Sequence, residues 1–405
     1  MKILILILMN RLISISDDLQ HNCPANFRRF LYNEIHLKDK LIGIIGGKGV
    51  GKTSLLLQLM KNKLGRDGKA LYVRLGDIYF SSNSLLEFAR GFYNRGGHYL
   101  FVDDLHKCPR AIKEIDNIRI EIPDLHLVFA SSIVIEDRNY LGRLIDDLVL
   151  YKLPGLSYRE FLEFKYQYAF PRIQFDELIE LNRSPGSAVL NRIRPLQYFE
   201  EYLMEGYYPF RRSTHWDFFH TLMDSLNENI ERDLPAFYNI DYQSVVKIKS
   251  LVSVIAQDGP LKPNIEKLAD SCGTTRDSLL KFLTYLFEAR IIISVKNCKD
   301  GASYSTKPNR LFLNNSNLIQ AICLTPQLSP AVYETFLMNQ LQYNHKVHST
   351  NEGVLIVDDE YPFDLEWRTI SSKKYISYGE SYSINEGIDS QIGTRIPLWM
   401  FGFLY

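Results

Sequence analysis

The chain has 405 residues, 46% hydrophobic and 23% charged, which is the balance of a folded protein long enough for two to four domains. Lys plus Arg and Asp plus Glu both number 47, for a formal net charge of zero; this excludes a protein coated in basic surface for nucleic acid and leaves only a local patch open. The five cysteines (Cys23, Cys108, Cys272, Cys298, Cys323) lie far apart with no C-x-x-C pair, which argues against a zinc ribbon or a disulfide framework and suits a reduced cytoplasm.

The N-terminal run Met1–Met9 carries Ile3-Leu4-Ile5-Leu6-Ile7-Leu8 after a single Lys2. No small-residue cleavage site follows, and the run is too short to span a bilayer. A buried strand, a disordered start and a misassigned start codon all fit it. No other stretch has the length to cross a membrane, and the cysteine usage makes a cytoplasmic protein the expectation. From residue 41, short apolar runs alternate with amphipathic ones. Strands are expected at Leu41–Ile45, Ala70–Leu75, Tyr99–Asp103, Leu125–Ala130 and Asp147–Tyr151, with helices at Ser84–Tyr93 and Arg110–Ile120. That alternation implies an α/β fold with a parallel sheet covered on both faces. Near Pro154 the pattern becomes all-helical, over Tyr158–Tyr168, Leu196–Glu205 and Asp217–Arg232, with a loop at Asn182–Ser187; such a segment suits a lid. Tyr242–Gln257 opens a further unit. There the helix Pro263–Asp270, the turn Ser271–Thr274, the helix Arg276–Ala289 and a hairpin from Ile291–Val295 to Arg310–Leu313 make a winged-helix pattern. Residues 325–405 mix a helix, Ala331–Gln342, with strands at Val354–Val357 and Tyr361–Trp367.

Gly46-Gly47-Lys48-Gly49-Val50-Gly51-Lys52-Thr53 fits the phosphate-loop pattern G-x-x-x-x-G-K-[ST] at every fixed position. It follows a strand and opens a helix, Thr53–Met60, which is the context the motif needs. The glycines let backbone N–H groups turn inward at phosphate oxygens, and the helix N-terminus adds partial positive charge. The run Gly46 to Ser54 is therefore the candidate site for ATP. Lys52 is expected to reach the β- and γ-phosphates, and the Thr53 hydroxyl to sit on Mg²⁺. A plain glycine turn between strand and helix is the alternative.

Leu100-Phe101-Val102-Asp103-Asp104 supplies acids at the carboxyl edge of a strand, where ligands bind in open α/β sheets. Asp103 is expected to hold Mg²⁺, directly or through water, and Asp104 to orient or activate the attacking water. Active ATPases of this class mostly have Glu at that second position. Asp is one methylene shorter, which favours slow hydrolysis or a binding switch. Ser131, in Ala130-Ser131-Ser132, is placed to sense the γ-phosphate, or else to cap the segment after it. Arg143, in Leu141-Gly142-Arg143, is a candidate to stabilise phosphoryl charge in cis or across a subunit interface, or else a surface arginine. His36, His98 and His106 lack metal-ligand spacing.

Taken together, these residues resemble the bacterial AAA+/STAND-like ATPases that carry a C-terminal domain related to restriction nucleases. The resemblance runs from about residue 25 to 405. It rests on Gly46–Ser54, Phe101-Val102-Asp103-Asp104-Leu105-His106-Lys107, the run Leu153–Phe161, Gly206-Tyr207-Tyr208-Pro209 and the ending Ile396–Tyr405. It implies an ASCE-type P-loop NTPase: a parallel sheet of order 5-1-4-3-2, a helical lid, a winged helix and a C-terminal α+β nuclease-like domain. It also places Gly206–Pro209 near the base, although that motif has one extra residue here. The expected divisions are an N-terminal segment 1–38, a P-loop ATPase domain 39–155, a lid 156–238, a winged helix 239–322 and a degenerate nuclease-like domain 323–405.

The nuclease-like fold uses a helix Glu, then an Asp, then an E-x-K triplet to bind Mg²⁺ and activate water. Glu334 matches the first. The Asp falls near Val354, and the triplet at Asp364-Leu365-Glu366, where Lys has become Glu. An aliphatic residue cannot bind metal and a carboxylate cannot replace the lysine, so a dead module is expected; Asp358, Asp359 and Glu360 read as a solvated turn. The winged helix would meet DNA through Thr275, Arg276, Lys281, Lys296 and Lys299, or serve as a protein contact. Three functions remain open: a slowly hydrolysing ATP switch with an unknown protein partner and an open oligomeric state, a DNA-processing or nuclease-associated ATPase, and a scaffold that holds ATP permanently.

Overall fold

A computed structural model describes every residue except 1, 25, 66–67, 134–146, 181–184, 211–213, 298–309, 324–326, 351–353 and 368–380. Five apolar runs form strands: β1 (Leu41–Ile45), β2 (Ala70–Arg74), β3 (Tyr99–Asp103), β4 (His126–Ser131) and β5 (Leu148–Lys152). They build a five-stranded sheet in the order β2-β3-β4-β1-β5, the expected 5-1-4-3-2 read from its other edge. Every pairing in it is parallel. All five residues of β1 are buried, as a central strand covered on both faces requires. The covering helices include Lys52–Leu59, Leu85–Tyr93 and Arg110–Glu121. Ser84 caps the second of these by accepting from the Leu86 and Glu87 N–H groups.

The N-terminal apolar run is neither a strand nor a disordered start; it belongs to a 20-residue helix, Lys2–His21. Met9, Leu12, Ser16 and Gln20 are buried on it, at spacings that keep one face inward. Ser16 Oγ accepts from the Tyr72 N–H at 3.0 Å. The helix thus satisfies a donor of edge strand β2, one of the ways a sheet edge is covered. Among the described residues no helix is long and apolar enough to cross a membrane.

The chain forms two compact units. The first contains Met1–Gly155, Glu228–Asp241 and Glu288–Arg290, and the second the remainder. Ile265–Ser271 and Arg276–Glu288 are helices, which up to Phe287 belong to the second unit. They precede an antiparallel pair, β6 (Ile292–Asn297) with β7 (Arg310–Leu313). That pair belongs to a larger sheet. Strands β8 (Val347–Ser349), β9 (Leu355–Val357), β10 (Tyr361–Leu365), β11 (Tyr382–Asn385) and β12 (Arg395–Pro397) complete a seven-stranded sheet of order β12-β11-β10-β9-β8-β6-β7. Its join is the parallel pairing of Lys296 with His348 and Asn297 with Ser349. The last residues, Leu398 to Tyr405, are buried, and the Tyr405 backbone oxygen accepts from Ser157 Oγ at 2.9 Å and Arg159 Nε at 3.0 Å.

Candidate nucleotide site

The loop between Ile45 and Lys52 is shaped by its glycines. Gly49 and Gly51 have φ of 85° and 98°, where a side chain is strained. A Cβ on Gly46 would lie 2.1 Å from the Leu153 carbonyl oxygen, so nothing larger fits. Three backbone acceptors hold the guanidinium of buried Arg29: Val50 O at 2.6 Å, Pro154 O at 2.8 Å and Gly155 O at 2.7 Å. Val50 is itself buried, while Ser54 is exposed on the helix that follows.

Lys52 lies under the loop. Its Nζ donates to Gly46 O and Gly47 O, both at 2.8 Å, and to Ser132 Oγ at 2.9 Å. Burial pulls its pKa down to about 8, while Asp103 and Asp104 pull the other way. Thr53 Oγ1 donates to Asp103 Oδ2 at 2.5 Å. The Tyr72 hydroxyl donates to the same oxygen at 2.7 Å, and the Asp104 N–H to Oδ1 at 2.8 Å. Burial, with Asp103 alongside, raises the Tyr72 pKa, so the phenol stays a donor. Thr53 and Asp103 are hard oxygen donors, the type Mg²⁺ takes, and the pair fits such an ion.

Asp104 follows β3 in a left-handed conformation, φ 56° and ψ 41°, which Asp tolerates better than most residues. Its carboxylate lies 3.5 Å from Lys107 Nζ and 3.8 Å from Arg74 Nε. Ser131 turns away from the loop: its Oγ donates to Ile133 O at 2.7 Å and accepts from Ile133 N at 3.2 Å. The next hydroxyl, Ser132, is the one that meets Lys52. Arg143 lies outside the described residues.

Lys48 points to a separate segment. Its Nζ donates to Asp233 Oδ2 at 2.7 Å and lies 3.0 Å from Glu228. Asp233 ends a π-helical turn, Asn229–Asp233. Burial alone would raise its carboxyl, but His106, 3.5 Å away, and the hydrogen bond from Lys48 hold it down at about 2. Sequence reading missed Arg29, Tyr72, Ser132, His106 and Asp233. Two of them had a signal: Ser132 adjoins the chosen serine, and His106 lies within the acidic strand motif.

The second expected site is differently occupied. Glu334 pairs with Arg310 at 3.0 Å, and Val354 is buried. Glu366 accepts from Arg395 Nε at 2.7 Å and Nη2 at 2.6 Å. Among the described residues no three His, Cys, Asp or Glu side chains gather as a metal site. Thr275, Arg276 and Lys281 are exposed, Lys296 is half-buried, and Lys299 lies outside the described residues. In the turn Gly206–Pro209, Tyr207 N donates to Asn317 Oδ1 at 2.7 Å and Tyr207 O accepts from Leu156 N at 2.7 Å.

Residues 38–162, which hold all five strands of the first sheet, match the family model described as AAA domain. None of the curated proteins matches the chain. Solved structures similar to it include domain III of the replication initiation protein DnaA from Thermotoga maritima, 20% identical over 37% of this chain and 73% of that one, TM-score 0.25. AMPPCP-bound DnaA from Aquifex aeolicus is 15% identical over 64% and 84%, TM-score 0.27. PCH-2 from C. elegans is 12% identical over 68% of each chain, TM-score 0.26.

Proposed function

We propose that the loop Gly46–Thr53 binds ATP with Mg²⁺ and that the chain is a slowly hydrolysing, nucleotide-controlled switch. The observation that carries this reading is the 2.5 Å contact of Thr53 with Asp103, at the carboxyl end of β3, with the Lys52 ammonium held under the loop and attracted by Asp103. Loop N–H groups and Lys52 would hold the phosphates. Mg²⁺ at Thr53 and Asp103 would neutralise charge on the β- and γ-oxygens. Asp104 would orient water. Its ion pairs with Lys107 and Arg74, and its shortness against Glu, support slow turnover. Ser132, rather than Ser131, has the contact with Lys52 that suits a γ-phosphate sensor.

The helix–turn–helix and its antiparallel hairpin support a winged helix, which would engage an unidentified protein partner. The arginines seated on Glu334 and Glu366 support a C-terminal nuclease-like module that has lost cleavage. Calorimetry with Mg-ATP tests the site. Lys52→Ala should weaken ATP binding by at least about tenfold, and unchanged affinity would sink the assignment.

A further inference from the structure

The two lysines of the phosphate loop are joined by a buried polar relay. Lys52 Nζ donates to Ser132 Oγ at 2.9 Å, and the Ser132 N–H donates to His106 Nδ1 at 3.2 Å. That bond leaves Nε2 as the donor of the ring. His106 Nε2 lies 3.5 Å from Asp233 Oδ2, and Lys48 Nζ donates to that same oxygen at 2.7 Å. His106 and Asp233 are 0% and 2% exposed. Asp233 closes a π-helical turn, a rare form found often at functional sites. Lys52 marks the end of the loop where the β- and γ-phosphates lie. The chain of contacts that starts at Lys52 ends on the Asp233 carboxylate, beside Lys48.

We infer that Lys48 and Asp233 are the specificity-determining pair that distinguishes ATP from ADP. This rests on the reading that the loop binds ATP. With ADP, one phosphate shorter, Lys48 keeps Asp233. With ATP, the γ-phosphate competes with Asp233 for the Lys48 ammonium, and the two anions repel across it. Glu228 keeps a second cation when Lys48 turns, since Lys107 lies 3.6 Å from it. Asp233 keeps His106 beside it, while Lys107 and Lys52 act on it electrostatically without a direct contact. His106 and Asp233 act as positioning residues, and Asp233 opposes the more highly charged nucleotide.

The experiment measures Mg-ATP and Mg-ADP affinity by calorimetry on the full chain and on Lys48→Met, Asp233→Asn, Asp233→Glu and the Lys48→Met/Asp233→Asn double variant. Asp233→Asn should tighten ATP about tenfold and move ADP by less than about twofold, the worth of one charge-assisted contact. Lys48→Met should weaken ATP by a similar factor and leave ADP unmoved. Asp233→Glu should restore the selectivity of the unmodified chain. In the double variant the gain from Asp233→Asn should vanish, since the competition needs Lys48. Equal effects of Asp233→Asn on ATP and ADP, a weakening of both, or no effect on either would overturn the pair's role while ATP binding itself stands. If Asp233→Asn does not fold, Lys48→Met decides alone: a loss of ATP affinity with ADP unmoved supports the pair, and an equal or absent effect on the two nucleotides overturns it. An unmodified chain that binds neither nucleotide would overturn the ATP reading first.

Discussion

At the scale of single residues, the phosphate loop shows what spacing in sequence can and cannot reveal. Lys52 and Thr53 are adjacent in a motif whose chemistry demands both, and Asp103 ends an apolar strand that must lie near it. Those were legible. Tyr72 was not, because a tyrosine in a strand is ordinarily core, and only the register that sets Arg74 opposite Asp103 brings the phenol within 2.7 Å of that carboxylate. Asp233 lies 185 residues from Lys48 in the chain, and no local pattern announces such a pair. The Tyr72 bond has a measurable consequence. Asp103 is 1% exposed, and a charged acceptor that loses a buried donor costs about 1.5–3 kcal/mol. Tyr72→Phe should lower stability by that amount in urea unfolding without Mg²⁺. A variant as stable as the parent would show that Thr53 and the Asp104 N–H suffice to hold the carboxylate.

At the scale of elements, most helices and strands were readable, since their periods and caps are local. The N-terminal segment was not. The consecutive apolar residues Ile3 to Leu8 carry no helical period of their own, and the buried residues Met9, Leu12, Ser16 and Gln20 that follow in the chain are half polar. The polar members have work that hydropathy does not show. Ser16 Oγ takes the Tyr72 N–H of edge strand β2 at 3.0 Å, and Gln20 Nε2 donates to Gly65 O at 3.3 Å. Because the Tyr72 donor is buried, removing its acceptor leaves a donor unsatisfied at a cost of about 1–3 kcal/mol. Ser16→Ala should therefore destabilise by that much although it removes a single oxygen, and hydrogen exchange at the Tyr72 amide should quicken. An unchanged exchange rate would mean that water or another acceptor reaches this edge.

At the scale of the whole molecule, alternating strands and helices made a parallel sheet legible, and its order followed only from the family resemblance. The second sheet was not. Sequence reading separates the hairpin β6–β7 from the C-terminal strands, yet the parallel pairing of β6 with β8 makes one sheet of them. Parallel pairing across distant strands leaves no turn signal. The hairpin thereby brings Arg310, on β7, to Glu334, on the helix Pro330–Leu341, at 3.0 Å. Burial raises the Glu334 carboxyl from 4.5 to about 7, against the pull of Arg310. An acid raised in the folded state holds its proton after the unfolded chain has released it. Stability should therefore fall as pH rises from about 4.5 to about 7, by about 3 kcal/mol in total, and be level below that window. Glu334→Gln cannot ionise, so its unfolding free energy should lack this slope. Urea unfolding at about pH 5 and about pH 8 compares the two. Parallel pH dependence in parent and variant would show that Glu334 is ionised throughout, with Arg310 prevailing over burial. A fall confined to the parent would mean that this glutamate holds a proton close to neutrality, a state in which it is a poor ligand for a divalent cation.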